Sequence, residues 1–209
     1  MRAAILVALL SLSLLAGCAK VPPTHYYHLA PGDGVSAATE PPRVGVRPFS
    51  VDAPYDRDRL VYRKGRREAE VGFYAYHRWA APLATMLPAL VARELGGEPV
   101  QPGSRYERYL EGRVVTFEEL DVDGLPHAVC ELELRLVHAD GETLWRGTVR
   151  GERAVRTTEV SEVVEGLRAL LVEELRKQRS ALSLVSRRQE SNSIHDLIAG
   201  SSLGSRGEG

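Results

Sequence analysis

The tetrapeptide Leu15-Ala16-Gly17-Cys18 closes the apolar run Ile5 to Leu15 behind Arg2, and it places one thiol where covalent chemistry is expected. A run of about a dozen apolar residues has the length of a signal-peptide core and roughly half that of a membrane-spanning helix. The small Ala16-Gly17 pair leaves the backbone open to a peptidase, and a cysteine directly after Leu-Ala-Gly has no use in an ordinary secretory signal. Residues 1–17 therefore read as a signal peptide whose removal leaves Cys18 as the new N-terminus. Cys18 would carry a diacylglyceryl thioether and an N-acyl chain such as palmitate; two or more acyl chains anchor stably where one is marginal. Ala19 follows it. Aspartate at that position usually retains a Gram-negative lipoprotein at the inner membrane, so alanine points to the periplasmic face of the outer membrane.

Other side chains offer less. His25, His28, His77, His127, His138 and His195 lack the paired spacing of a zinc site. His25 and His28 fall on opposite faces of an extended segment. The run Glu118-Glu119-Leu120-Asp121-Val122-Asp123-Gly124 lacks the remaining oxygen ligands and the terminal glutamate of a calcium loop, and reads as a solvated hairpin end. There is no phosphate-binding glycine loop and no cysteine with a catalytic histidine in fixed relation, so no catalytic residue, metal or cofactor is expected beyond the lipid on Cys18. Cys130 stands alone once Cys18 is acylated, cannot form an internal disulfide, and is expected to be buried.

Removing Arg2 with the signal leaves 26 of the 27 Lys and Arg side chains against 28 Asp and Glu, a formal charge of −2. Nucleic-acid binding asks for a basic patch with interleaved aromatics, and none is announced. Residues 18–24 form a short tether in which Pro22-Pro23 favours extended backbone rising about 3.1 Å per residue. A domain so close to its anchor stays near its own bilayer.

Beyond the tether the pattern predicts strands at His25–Leu29, 43–51 with Val44, Val46 and Phe49 inward, Arg59–Arg63 and Val71–Tyr76. Pro31 to Pro42 reads as a loop. Leu83, Leu87, Leu90 and Val91 recur at helical spacing within 80–95, with Pro82 in the first turn and Gly96-Gly97 as a stop. Pro88 predicts either a kink or a regular helix starting near Leu87. Three long strands are expected at 106–117, 128–138 and 142–155, joined by a loose connection at Asp123-Gly124 and a tight type I′ turn at Asp140-Gly141. Strict alternation of Cys130, Leu132, Leu134 and Leu136 with Glu131, Glu133 and Arg135 marks a sheet wet on one face. Ser161 is read as the N-cap of a helix running to about Arg188, with the stripe Val164, Leu167, Leu171, Leu175, Leu182 and Val185. Residues 189–209 are polar and expected to be disordered, apart from a short apolar patch at Ile194, Leu197 and Ile198. The predicted class is α+β: a mostly antiparallel sheet covered by two helices in a single periplasmic domain, residues 25–188.

Three segments in order carry a resemblance. Tyr26-Tyr27-His28-Leu29 follows the lipidation site; Val44-Gly45-Val46 leads to Pro54-Tyr55 and Arg59-Leu60-Val61-Tyr62-Arg63; and Tyr76-His77-Arg78-Trp79-Ala80-Ala81-Pro82-Leu83 enters the first helix. Together they resemble the ABC-type transport auxiliary lipoproteins, which include the paraquat-inducible protein C lipoprotein. The resemblance implies a noncatalytic outer-membrane docking subunit. Its partner would be a membrane protein with mammalian-cell-entry (MCE) domains, part of an ABC-type lipid-transport system, and several copies would form a homo-oligomer. An envelope assembly or scaffolding lipoprotein unrelated to ABC transport is the alternative. The aromatic run Phe73, Tyr74, Tyr76 and Trp79, with Arg78, offers itself for partner contact, since Tyr and Trp dominate interface energetics, or else for core packing. Arg59, Arg63 and Arg78 are open to pairing with a partner's carboxylates or with one another, and exposed pairs would contribute little.

Overall fold

The computed structural model describes residues 21–29, 44–67 and 69–179. Cys18, the signal peptide, the expected loop over 31–42, the tail, its apolar patch and the helical stripe beyond 179 lie outside the described residues.

The expected α+β architecture is found: nine strands in one mixed, mostly antiparallel sheet, with two helices. In chain order the strands are β1 (His25–Tyr27), β2 (Val44–Val46), β3 (Ser50–Val51), β4 (Arg59–Arg63), β5 (Gly72–Trp79), β6 (Glu98–Pro99), β7 (Arg108–Val122), β8 (Leu125–His138) and β9 (Thr143–Ala154). Helix α1 (Leu83–Leu95) follows β5, and α2 (160–179) follows β9. The predicted strand over 43–51 is two short strands, β2 and β3, and β6 had no signal in the sequence.

Strand β7 organises the sheet. One edge pairs antiparallel with β8, which pairs with β9. The other edge pairs in parallel with β2 at Arg108–Leu110, with β3 at Arg113 and Val114, and with β4 at Glu119 and Leu120. β5 adds antiparallel to β4, and β1 parallel to β5.

The register of β7 against β8 shifts between Val114 and Thr116. A one-residue bulge inverts the side-chain alternation beyond it. Leu110 and Val114 face the core before the bulge and Phe117 after it, all at most 2% exposed. Glu118, which strict alternation would send to the core with Leu110 and Val114, is turned to the other face. The dry face of β8 is as predicted, with Cys130 and Leu132 at 0% exposure. Burial pushes the Cys130 thiol up to about 12, so it stays protonated and inert.

Two turns differ from expectation. Val122 pairs with Leu125, and Asp123 and Gly124 both have positive φ (55° and 83°), so this is the tight two-residue hairpin. At the other hairpin the Gly141 N–H donates to the His138 carbonyl at 3.0 Å, and only Gly141 has positive φ. That is a three-residue loop closed by a left-handed glycine, not a type I′ turn.

Helix α1 runs from Leu83 through Pro88 without restarting at Leu87. The reason lies in the sheet. Proline has no N–H to give the Ala84 carbonyl one turn back, and the Phe49 N–H takes that acceptor at 3.1 Å. Leu83, Met86, Leu87, Leu90 and Val91 are buried, and Gly96 closes the helix in the left-handed region. In α2 the first turn begins earlier than predicted. The Glu159 carbonyl accepts from Glu162 N and Val163 N, so Ser161 lies inside the helix and Glu159 occupies the cap. The described part of the stripe, Val164, Leu167, Leu171 and Leu175, is buried, and Val160, Val163 and Leu170 widen it.

Candidate functional site

The strip singled out in the sequence lies on β5 and divides between inside and outside. Trp79 is 3% exposed and packs on Phe117 with ring centroids 5.6 Å apart, so it presents no surface to a partner in this conformation. Tyr74 is half-buried, donates to Glu119 Oε2 at 2.7 Å, and packs tilted against Tyr62 with ring centroids 5.0 Å apart. Desolvation of the pair raises the pKa of both Tyr74 and Glu119. Phe73 lies under the Arg57 guanidinium, 4.1 Å from its ring centroid. Tyr76 and Arg78 reach the surface, and Arg78 binds Asp58 at 2.5 Å.

Where β1 docks on β5, His25 stacks on His77 with centroids 5.2 Å apart, and the Tyr27 hydroxyl lies 2.8 Å from His77 Nδ1. The facing groups are Tyr74, edge-on at 5.3 Å, and Glu159 from the start of α2. Desolvation, then repulsion from His25, lowers the His77 pKa below its usual 6.5, against a smaller opposing pull from Glu159. A base depressed in the folded state adds stability that is complete above its unfolded pKa and is lost as pH falls through the folded one. Between about pH 7.5 and pH 5.5 the melting temperature should therefore fall further for the wild type than for His77→Phe, as thermal unfolding would read. Equal falls would place the sensitivity elsewhere.

The carboxylate run, expected to be a solvated hairpin end, is solvated only at its tip. Glu118 is 1% exposed. Its side chain accepts from the Tyr55 hydroxyl at 2.7 Å and from Arg63 Nε at 2.5 Å. The bulge at Val115 has turned Glu118 onto the face where the segment 52–58 crosses, which no local pattern in the run discloses. Arg63, open in the sequence to a partner's carboxylates or to the other two arginines, is instead paired with Glu118.

The same face of the central sheet, away from the core, carries ion pairs. Arg150 meets Glu131 at 2.7 Å, Arg113 meets Asp52 at 2.8 Å, and Arg135 meets Glu111 at 2.5 Å, with Arg47 on the same carboxylate. Arg47, Glu111, Arg113 and Arg135 border an open cleft of about 680 Å³ reaching to Arg146 and Thr148. Exposed pairs of this kind contribute about 0–1 kcal/mol each. Among the described residues there is no group of three or more His, Cys, Asp or Glu able to hold a metal, and no helix long and apolar enough to cross a membrane.

A family model described as "ABC-type transport auxiliary lipoprotein component" matches residues 27–177. Among solved structures, a protein from Xanthomonas campestris assigned to the DUF330 family is similar at 19% identity; the match covers 80% of this chain and 99% of that one, with a TM-score of 0.63. A second, described as an uncharacterized protein, is 18% identical over 77% of this chain and 99% of its own, with a TM-score of 0.57. At these identities the likeness is one of fold. No curated protein matches the chain.

Proposed function

The chain belongs to the ABC-type transport auxiliary lipoprotein family, and from that premise we propose that it is a noncatalytic, lipid-anchored component of the outer membrane's periplasmic face, where an MCE-domain protein of an ABC-type lipid transporter docks. The observation that carries this reading is the shortness of the link. Cys18 precedes His25, the first residue of the sheet, by seven positions. A folded domain on so short a link can receive the end of a periplasmic conduit but cannot carry cargo across. The burial of Cys130 and the internal pairing of Glu118 leave the domain's most chemically apt groups committed to structure, which favours a docking role over catalysis. Several copies around one conduit complete the proposal, with Tyr76 and Arg78 as surface contacts and Tyr74 and Trp79 holding β5 in shape.

Two measurements test it. Cys18→Ser should move the protein from the membrane to the soluble envelope fraction and abolish metabolic labelling by palmitate, because no other anchor is proposed. Pull-down should recover the MCE-domain protein with wild type, and recovery should drop for Tyr76→Ala and Arg78→Ala at unchanged melting temperature. Equal recovery by these folded variants would remove the β5 strip from the interface. Recovery of no such protein by wild type would overturn the docking role itself.

A further inference from the structure

Strand directions define which end of the domain the anchor enters. β4 and β7 run the same way, β5 runs against them, and β1 runs with β5, so β1 enters the sheet at the end where β7 leaves it. The β4–β5 turn, the Asp123-Gly124 hairpin and the passage from β9 into α2 gather at that same end, where Val155 N–H donates to the Pro126 carbonyl at 2.8 Å. The β8–β9 loop at Ala139–Gly141 lies at the other end, beyond a strand of 15 residues or about 50 Å.

The large apolar side chains exposed among the described residues are Val21 (73%), Tyr26 (66%), Leu125 (59%) and Tyr76 (37%). Leu125 occupies the tip of the hairpin, and Val21 is in the entering segment. The hairpin itself asks only for the conformations of Asp123 and Gly124, so an exposed leucine beside them has no folding role. Seven residues from Cys18 to His25 reach at most about 25 Å. Register sets Arg78 beside Arg59 and Tyr62 beside Glu119, so His77, the register partner of His25, stands six residues or about 20 Å short of Asp123 along the sheet. The link is long enough to run back along β5 and bring the acylated terminus level with the hairpin tip. Charge at this end is nearly balanced, Lys64, Arg66, Arg67 and Arg156 standing against Glu70, Asp121, Asp123 and Glu152. Attraction there would be apolar rather than electrostatic.

We propose that the domain stands end-on, with the Asp123–Leu125 hairpin tip seated in the headgroup region of its own bilayer and the Ala139–Gly141 loop facing away. This rests on the anchoring reading, deepens it by naming the face that meets lipid, and leaves Tyr76 and Arg78 clear for a protein. The experiment supplies the anchor chemically so that the two can fail separately. Residues 18–209 are coupled through the Cys18 thiol to a maleimide-headgroup lipid in vesicles of brominated phosphatidylcholine, Cys130 being buried. Leu125→Trp and Ala139→Trp are compared with the parent chain, whose Trp79 and Trp145 set the background. The fluorescence added by Leu125→Trp should be lost in brominated vesicles relative to unbrominated ones, and at unchanged extent in high salt; that added by Ala139→Trp should not. Quenching of Ala139→Trp as strongly as Leu125→Trp, or of neither while flotation shows the chain on the vesicles, overturns the orientation. Retention of Cys18→Ser in cell membranes would instead overturn the acylation.

Discussion

Glu118→Ala should cost the fold about 3 kcal/mol, the scale expected when one partner of a buried ion pair is removed and a buried hydroxyl loses its acceptor. The Glu118 side chain is fully buried, whereas that of Arg63 keeps 28% of its surface, so the orphaned guanidinium recovers some water and the loss falls at the lower end of that class. Tyr55 recovers less: its hydroxyl has spent its proton on Glu118, and burial, followed by that bond, raises its pKa. Glu118→Gln keeps the shape and one acceptor, so it should cost less than Glu118→Ala. Urea unfolding of the mature chain measures both. A Glu118→Ala midpoint within error of wild type would mean that the segment 52–58 is held without this carboxylate.

That carboxylate marks where the sequence stops being readable. The dry face of β8 was legible because alternation is a local property: Cys130, Leu132, Leu134 and Leu136 announce it by spacing alone, and the strip of Leu83, Leu87, Leu90 and Val91 announces α1 in the same way. Glu118 was misread because its position depends on a bulge at Val115, and the run from Val114 to Phe117 contains neither glycine nor proline to signal one. The expectation of a helix starting near Leu87 fails for a related reason. The cost of Pro88 was judged within one helix, while the compensating donor, Phe49 N–H, comes from a segment far away in the chain. The two hairpins exchanged character because each contains Asp-Gly, and what separates them is whether the flanking strands pair up to the turn, as Val122 and Leu125 do. Of the β5 strip, composition disclosed the aromatics but not their division: Trp79 is drawn inward by Phe117, a strand pairing away, while Tyr76 is left outside.

Leu171→Ala should be at least as damaging, about 3–5 kcal/mol, because the cavity it opens cannot collapse easily. Leu171 is at 0% exposure on the face of α2 that packs on the sheet. The helix lies close there. A Cβ built at Gly151 would come within 2.6 Å of Leu170 Cδ1, and one at Gly166 within 3.2 Å of Ala128 Cβ, so small residues on both sides already set the approach. A void left between surfaces in that contact persists as lost dispersion and exposed apolar lining. The measurement, again urea unfolding, has a functional counterpart that separates anchoring from docking. The proposed acylation depends on the sequence around Cys18 and not on the packed domain, so Leu171→Ala should still take palmitate and fractionate with membranes while losing the transporter partner. Tyr76→Ala should lose the partner with its stability intact, and Cys18→Ser should keep a folded domain and lose the membrane. If Leu171→Ala retained the partner at wild-type strength despite the predicted loss of stability, docking would have to reside in a segment outside the packed domain, and the surface of the sheet would no longer be where to look for it.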